Sequence, residues 1–319
     1  MARAKLRGAA RARRGIFPAT LLLVVLAAAC GKLAGIDDLQ VGECKGGNCT
    51  PGSGSEGGIV PEDGEDTGPP TNQEASIPDV SSIPCPATGK GPTMVRAGTL
   101  TNNFCIDSTE VTVAQYRAFT QAVGSDTSGQ PAQCAWNTDY AAGLGGADDI
   151  PIAGIDWCDA YAYCKWAGKR LCGKQAGNKF VGSIAASDLG DFNTHEWLIA
   201  CTANGQLLYP YGGVQNGTAC NTGENDAGRT LPVGTKPGCV GGFPGVYDMV
   251  GNLWEWYDGP CLPPDGGADA GDGGPAKDEC YVKGGAFVTA GANINCRVEG
   301  RGASRDRRGQ EIGVRCCAD

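Results

Sequence analysis

Helical spacing of apolar residues is clear in two stretches of this chain. From Thr112 to Val123, Val113, Tyr116, Ala118 and Phe119 fall on one face, and Thr112 stands where a cap belongs. From Asp156 to Ala167 the same spacing is carried by Trp157, Ala160, Tyr161, Cys164 and Trp166. An apolar run, Ile16 to Ala29, lies near the N-terminus. It is too short for the roughly 20 residues that a bilayer core of about 30 Å demands. From Gly31 to about Ile83 large apolar residues are scarce, and Pro61-Glu62-Asp63-Gly64-Glu65-Asp66 is the acidic centre of that segment. Such a stretch cannot bury enough surface to offset its ordering entropy, which predicts a flexible tether. Beyond it, Gly, Asn and Pro interrupt every pattern, so strands should be short and loops long. The globular part runs from about Cys85 to Asp319, about 235 residues, enough for one sizeable core.

The apolar run gains meaning from its flanks. Arg3, Lys5, Arg7, Arg11, Arg13 and Arg14 precede it, with no acid before Asp37. A basic region, a short apolar region and small terminal residues describe an export signal. Leu26-Ala27-Ala28-Ala29-Cys30 resembles a bacterial lipobox, in which the cysteine becomes the acylated first residue. Ordinary cleavage after Ala29 would instead leave Cys30 as a free thiol. Cysteine arithmetic favours acylation: of 17 cysteines, removing Cys30 leaves an even number to pair. Exported proteins keep disulfides, and Cys44 and Cys49 could close a small loop within the tether. Loss of the signal removes six positive charges and no negative ones, taking the formal charge from −9 to about −15. That surface repels phosphate backbones and excludes nucleic acid as a partner; contact with a membrane would come through the lipid anchor.

Candidate chemistry is sparse. With no CxxC spacing and a single histidine, His195, structural zinc is excluded. His195 lacks a second imidazole to form an iron site and reads as a surface or helix-start residue. Gly259 to Glu279 is low-complexity; its spacing matches no EF-hand loop, and it reads as a flexible insertion closed by Cys261 and Cys280. Arg297, Arg301, Arg305, Arg307 and Arg308 cluster near the C-terminus, where internal carboxylates are their expected partners and an anion-binding groove is the other reading.

Several segments taken in order resemble the formylglycine-generating-enzyme (sulfatase-modifying-factor) family. They are Cys105 to Thr112 with Tyr116 and Phe119; Pro151 to Trp157; Ala162 to Leu171; Glu196-Trp197; Tyr211-Gly212; Asp248-Met249-Val250-Gly251-Asn252-Leu253-Trp254-Glu255-Trp256; Lys283-Gly284-Gly285; and Ile312 to Cys316. The resemblance implies an α+β, C-type-lectin-like fold with little regular secondary structure, stapled by disulfides. With the export signal and the composition it divides the chain into a lipoprotein signal peptide at 1–29, acylated Cys30 with its tether at 30–83, and a family-like domain at 84–319 in which 259–279 is the insertion.

The resemblance also implies sites. Calcium would be held by the carboxylates of Asp248 and Glu255 with carbonyls of Gly251 and Leu253, and a second calcium loop would fall at Asn221 and Thr222 with Asn225 or Asp226 opposite. Family cysteines carried over give Cys164–Cys316, with adjacent Cys317 as a competitor, and Cys201–Cys296. The family's enzymes hold copper(I) between two thiolates downstream of the Gly-Gly pair, since a soft ion needs soft ligands. Here those positions are Thr289 and Ile294, and Ala286 replaces the serine after Gly285. Copper and formylglycine-generating catalysis are therefore not expected. The reading is a non-catalytic cell-envelope module that binds a protein or glycan partner. The alternatives are a purely structural envelope protein and a metal-dependent oxidoreductase of other chemistry.

Overall fold

A capping box starts each of the two helices read from spacing. In α1 (Val113–Val123) the Thr112 hydroxyl accepts from Gln115 N at 3.3 Å, and the Gln115 side chain accepts from Thr112 N at 2.9 Å. In α2 (Trp157–Trp166) Asp156 and Asp159 exchange the equivalent bonds at 2.8 and 3.2 Å. Both boxes satisfy orphan amides of the first turn. The computed structural model describes residues 80–140, 144–224, 228–263, 274–291 and 294–319, within one unit running from Thr71 to Asp319. The export segment, Cys30, Cys44, Cys49 and most of the expected tether lie outside the described residues.

A third helix, α3 (Glu196–Thr202), opens at His195 and closes on Ala203. Ten short strands follow in chain order: β1 (Met94–Thr99), β2 (Asn102–Asp107), β3 (Arg170–Leu171), β4 (Lys174–Ala176), β5 (Lys179–Gly182), β6 (Trp254–Leu262), β7 (Glu279–Lys283), β8 (Glu299–Ser304), β9 (Ile312–Val314) and β10 (Cys316–Ala318). One sheet orders β1-β2-β10-β3, another β8-β7-β6-β9, and β4 with β5 makes a hairpin. All these pairings are antiparallel except β6 with β9, so the chain's end is threaded into both larger sheets. The fold is α+β, C-type-lectin-like, with few helices.

Two apolar clusters fill it. One joins α1 to α2 through Tyr116, Phe119 and Tyr163, whose ring centroids lie 5.3 to 5.7 Å apart. The other surrounds Trp197, Leu198 and Ile199 of α3 with Phe104, Ile106, Met249 and Val250. With 52 glycines in the chain, loops carry much of the backbone and disulfides tie them down. Among the described residues seven are formed: Cys85–Cys105, Cys134–Cys158, Cys164–Cys316, Cys172–Cys317, Cys201–Cys296, Cys220–Cys239 and Cys261–Cys280. Cys317 thus does not compete for Cys164, because β10 sends its adjacent side chains to opposite faces.

Three expectations need correction. Val80 is buried and Ile83 packs on the same cluster, so the folded unit takes in residues assigned to the tether. Gly259 to Leu262 and Glu279 belong to strands, with Cys261 opposite Cys280 in register, so the insertion is confined between Leu262 and Glu279. His195 does start a helix, but it is fully buried rather than at the surface. Its ring lies 5.0 Å from that of Tyr257, and Nδ1 accepts from Leu198 N at 3.5 Å. Of the arginine cluster, Arg305 pairs with Asp278, Arg307 with Glu311, and Arg308 with Asp139, Asp156 and Asp159.

Candidate functional site

The segment Asp248 to Glu255 is wound left-handed at three points: φ is +56° at Asp248, +84° at Gly251 and +59° at Asn252. Only glycine fits at 251, where a Cβ would stand 2.4 Å from the Asn221 carbonyl oxygen. The winding lets the segment bind three neighbours at once. Asn252 N donates to Asn221 O at 2.7 Å, Gly251 N to Gly284 O at 3.1 Å, and the Asn252 carbonyl accepts from Phe287 N at 2.9 Å. The Asn221 loop and the Gly284-Gly285 turn therefore meet on one hub.

Three buried carboxylates surround the hub. Glu255 receives Arg315 Nε at 2.8 Å and Nη2 at 2.7 Å, and Trp197 Nε1 at 2.6 Å. Asp248 accepts from Gly234 N at 2.6 Å. Glu110 accepts from Leu253 N at 2.9 Å and from Asn252 Nδ2 at 2.7 Å. Burial pushes Asp248 up to about 6, with Glu255 adding to the rise and Arg315 opposing it. Burial raises Glu110 well above the usual carboxylate range, and the charges of Asp248 and Glu255 raise it further. Glu110, Asn252, Arg315 and Trp197 were in view as motif letters; what spacing hid was that they converge.

The calcium expectations separate on this geometry. Asp248, Gly251 and Leu253 lie in the loop that leads into β6, and Glu255 is that strand's second residue, its carboxylate held by Arg315 and the Trp197 indole. A calcium ion there would share the Glu255 carboxylate with Arg315 and Trp197. At the other loop, Asn221 Nδ2 donates to Arg229 O and to Asn252 Oδ1, both at 3.0 Å, while Asn221 Oδ1 and the Thr222 hydroxyl are buried with no partner. Two orphaned oxygens suit a hard cation, which takes oxygen ligands. Asn225 and Asp226 lie outside the described residues.

The copper positions hold no soft ligand. The Thr289 hydroxyl accepts from Ala286 N at 2.9 Å, and Thr289 N donates to Ala286 O at 2.8 Å, closing a tight turn. Ile294 is buried against the α3 cluster, and Cys296 is spent on Cys201. The residues present do not fit copper(I). Among the described residues one group of three metal-capable side chains gathers, Cys172, Glu196 and Cys317, but its sulfurs are joined in a disulfide and Glu196 is paired with Arg170.

A family model described as the sulfatase-modifying factor enzyme 1-like domain matches residues 70–319. The chain belongs to that family. Relatives of the sulfatase-modifying factor enzyme 1-like domain include the formylglycine-generating enzyme of Bos taurus, 32% identical over 122 residues, covering 34% of this chain and 26% of the relative. The chain spans about a quarter of the length of the first curated relatives it matches. The inactive Cα-formylglycine-generating enzyme 2 of Bos taurus is 27% identical over 187 residues, 53% of this chain and 50% of the relative. The formylglycine-generating enzyme of Streptomyces coelicolor is 25% identical over 271 residues, 68% of this chain and 78% of the relative. Among solved structures, PvdO from Pseudomonas aeruginosa superposes with a TM-score of 0.47 at 20% identity, covering 72% of this chain and 94% of that one.

Proposed function

We propose that this chain is an exported, lipid-anchored member of the family that has lost formylglycine-generating catalysis and serves as a binding module in the bacterial cell envelope. The observation that carries the reading is the pair Thr289 and Ile294: one hydroxyl closes a turn and one side chain fills the core where two thiolates would be needed. Relatives named formylglycine-generating enzyme and inactive Cα-formylglycine-generating enzyme 2 both occur, so loss of chemistry on this scaffold has a parallel. Seven disulfides suit an oxidising compartment. Among the described residues no helix is long and apolar enough to cross a membrane, and the lipid on Cys30 supplies the anchor in this reading. A cavity of about 350 Å³, walled by Phe119, Tyr140 and Trp166 and rimmed by Asp126 and Lys165, offers room for part of a protein or glycan partner. Calcium bound at Asn221 and Thr222 has a structural role here.

The test is a copper(I) titration of purified protein against a competing chelator, with incubation of a sulfatase-type cysteine peptide followed by mass spectrometry. We expect no stoichiometric copper and no formylglycine. Conversion of the peptide would overturn the reading. The rival, a metal-dependent oxidoreductase of other chemistry, would show as a tightly bound redox metal in the same preparation.

A further inference from the structure

The orphaned oxygen of Asn221 is not oriented by its own surroundings alone. Its amide is the last of three side chains in a row, and the first accepts hydrogen bonds on both oxygens. Glu110, fully buried, takes Leu253 N on one oxygen and Asn252 Nδ2 on the other. Both Glu110 oxygens accept, so Asn252 turns its nitrogen toward Glu110 and its oxygen away, toward the Leu231 amide. That oxygen then accepts from Leu231 N and from Asn221 Nδ2, both at 3.0 Å. Asn221 is left with its nitrogen facing inward and Oδ1 facing out, buried and unpartnered. The backbone agrees at each step: Asn252 Nδ2 also donates to Leu231 O at 3.2 Å, and Asn221 Nδ2 to Arg229 O. Reversing Asn252 would set its nitrogen against the Leu231 and Asn221 donors, and reversing Asn221 would set its oxygen against the Arg229 and Asn252 acceptors.

We infer that Glu110 and Asn252 are positioning residues that present the oxygen, and not the nitrogen, of Asn221 to a hard cation. The inference rests on calcium binding at Asn221 and Thr222 and adds what controls it. A buried carboxylate on the N-terminal side of α1 fixes the polarity of a ligand more than a hundred residues away in sequence. The cost of the device is visible in Glu110 itself, an acid kept in the core beside Asp248 and Glu255. A packing role alone would be met by a neutral side chain of the same shape.

Glu110→Gln supplies that shape with mixed polarity. If its oxygen serves Leu253 N, its nitrogen faces Asn252, which must reverse, and Asn221 must reverse in turn. Calcium titration by calorimetry and by calcium-dependent melting should show wild-type binding and a loss of at least about tenfold in affinity for the variant. At Asn221→Asp both outer atoms are oxygen, so adding Glu110→Gln to it should cost little further affinity. No calcium binding by wild type would refute the cation site itself. Wild-type affinity in Glu110→Gln would leave that site standing and refute the relay. A measurement on the wild type covers the case where the variant does not fold: hydrogen exchange of the Asn221 side-chain NH2 should be slow with and without calcium. Fast exchange would place the nitrogen outward and overturn the inference.

Discussion

The C-terminal strand and the turn that follows the Gly-Gly pair make an instructive contrast, since both adjoin segments that carry the family resemblance. At the strand everything is braced. Arg315, with no exposed surface, holds Glu255 and the carbonyls of Asp107 and Tyr247. Cys316 N donates to Asp107 Oδ2 at 2.9 Å, and Cys316 and Cys317 bond Cys164 and Cys172. At the turn, Val288 is 60% exposed and Thr289 caps its neighbour. The bonds that hold the scaffold are present, whereas the positions that would carry chemistry are filled by residues that satisfy only local geometry.

The largest effect should come from the bracing. The bonds Cys164–Cys316 and Cys172–Cys317 span 152 and 145 residues, and they share adjacent cysteines at one end. Either alone keeps nearly the same loop closed. By the chain-entropy account, removing one pair to alanine should cost about 1–2 kcal/mol, chiefly from packing, and removing both should cost about 5 kcal/mol or more. Denaturant unfolding of the two single and one double variants measures this. If the single losses sum to the double, each bond acts on its own loop and the shared brace is wrong.

A smaller effect, again confined to the braced side, concerns pH. Burial raises Asp107 to about 6 against the opposing charge of Lys169, raises Asp248 to about 6, and raises Glu110 well above the usual carboxylate range. Asp159 is raised to about 8 by burial, with Asp156 beside it adding to the rise and Arg308 opposing. Unfolded carboxylates titrate near 4, so between that pH and the folded values the native state binds more protons. Stability from these groups is present below about pH 4 and is lost as pH rises through their folded values. With chelator present, the melting temperature should fall from pH 4.5 toward pH 8. A flat or rising curve would show that these carboxylates are better compensated than their burial implies. The turn from Gly284 to Gly291 has no titratable side chain and should contribute nothing.

What could be read from the sequence follows the range of the interactions. Helices α1 and α2 were legible because periodicity and caps are local. Cys261 and Cys280 were legible because they flank one segment. Cys172 was not: its partner lies 145 residues away, and nothing in its neighbours marks it. The burial of His195 was missed for the same reason, since Tyr257 arrives from β6. Motif letters named Asp248 and Glu255, which stand at the two ends of the loop leading into β6. The competition of Arg315 for Glu255 depends on β9 running parallel beside β6, a pairing that local pattern does not encode.

The smallest effect tests the other side of the contrast, the claim that Thr289 has become a turn residue. Its hydroxyl accepts the Ala286 amide at 2.9 Å, and Ala286 is fully buried, so without that acceptor the amide has little access to water. Thr289→Val keeps the shape and removes the acceptor, which should cost about 1 kcal/mol, since a lost neutral hydrogen bond is worth about that much. Thr289→Ser keeps the hydroxyl and should recover most of the loss. Neither change should alter calcium affinity, because the turn touches the Asn221 loop through the Gly223 N to Thr289 O bond, which both variants retain. Chemical unfolding and calcium titration of the two variants separate the cases. Equal stability of Val and Ser would mean the hydroxyl does not hold this turn, and the residue would then be neither a ligand nor a brace.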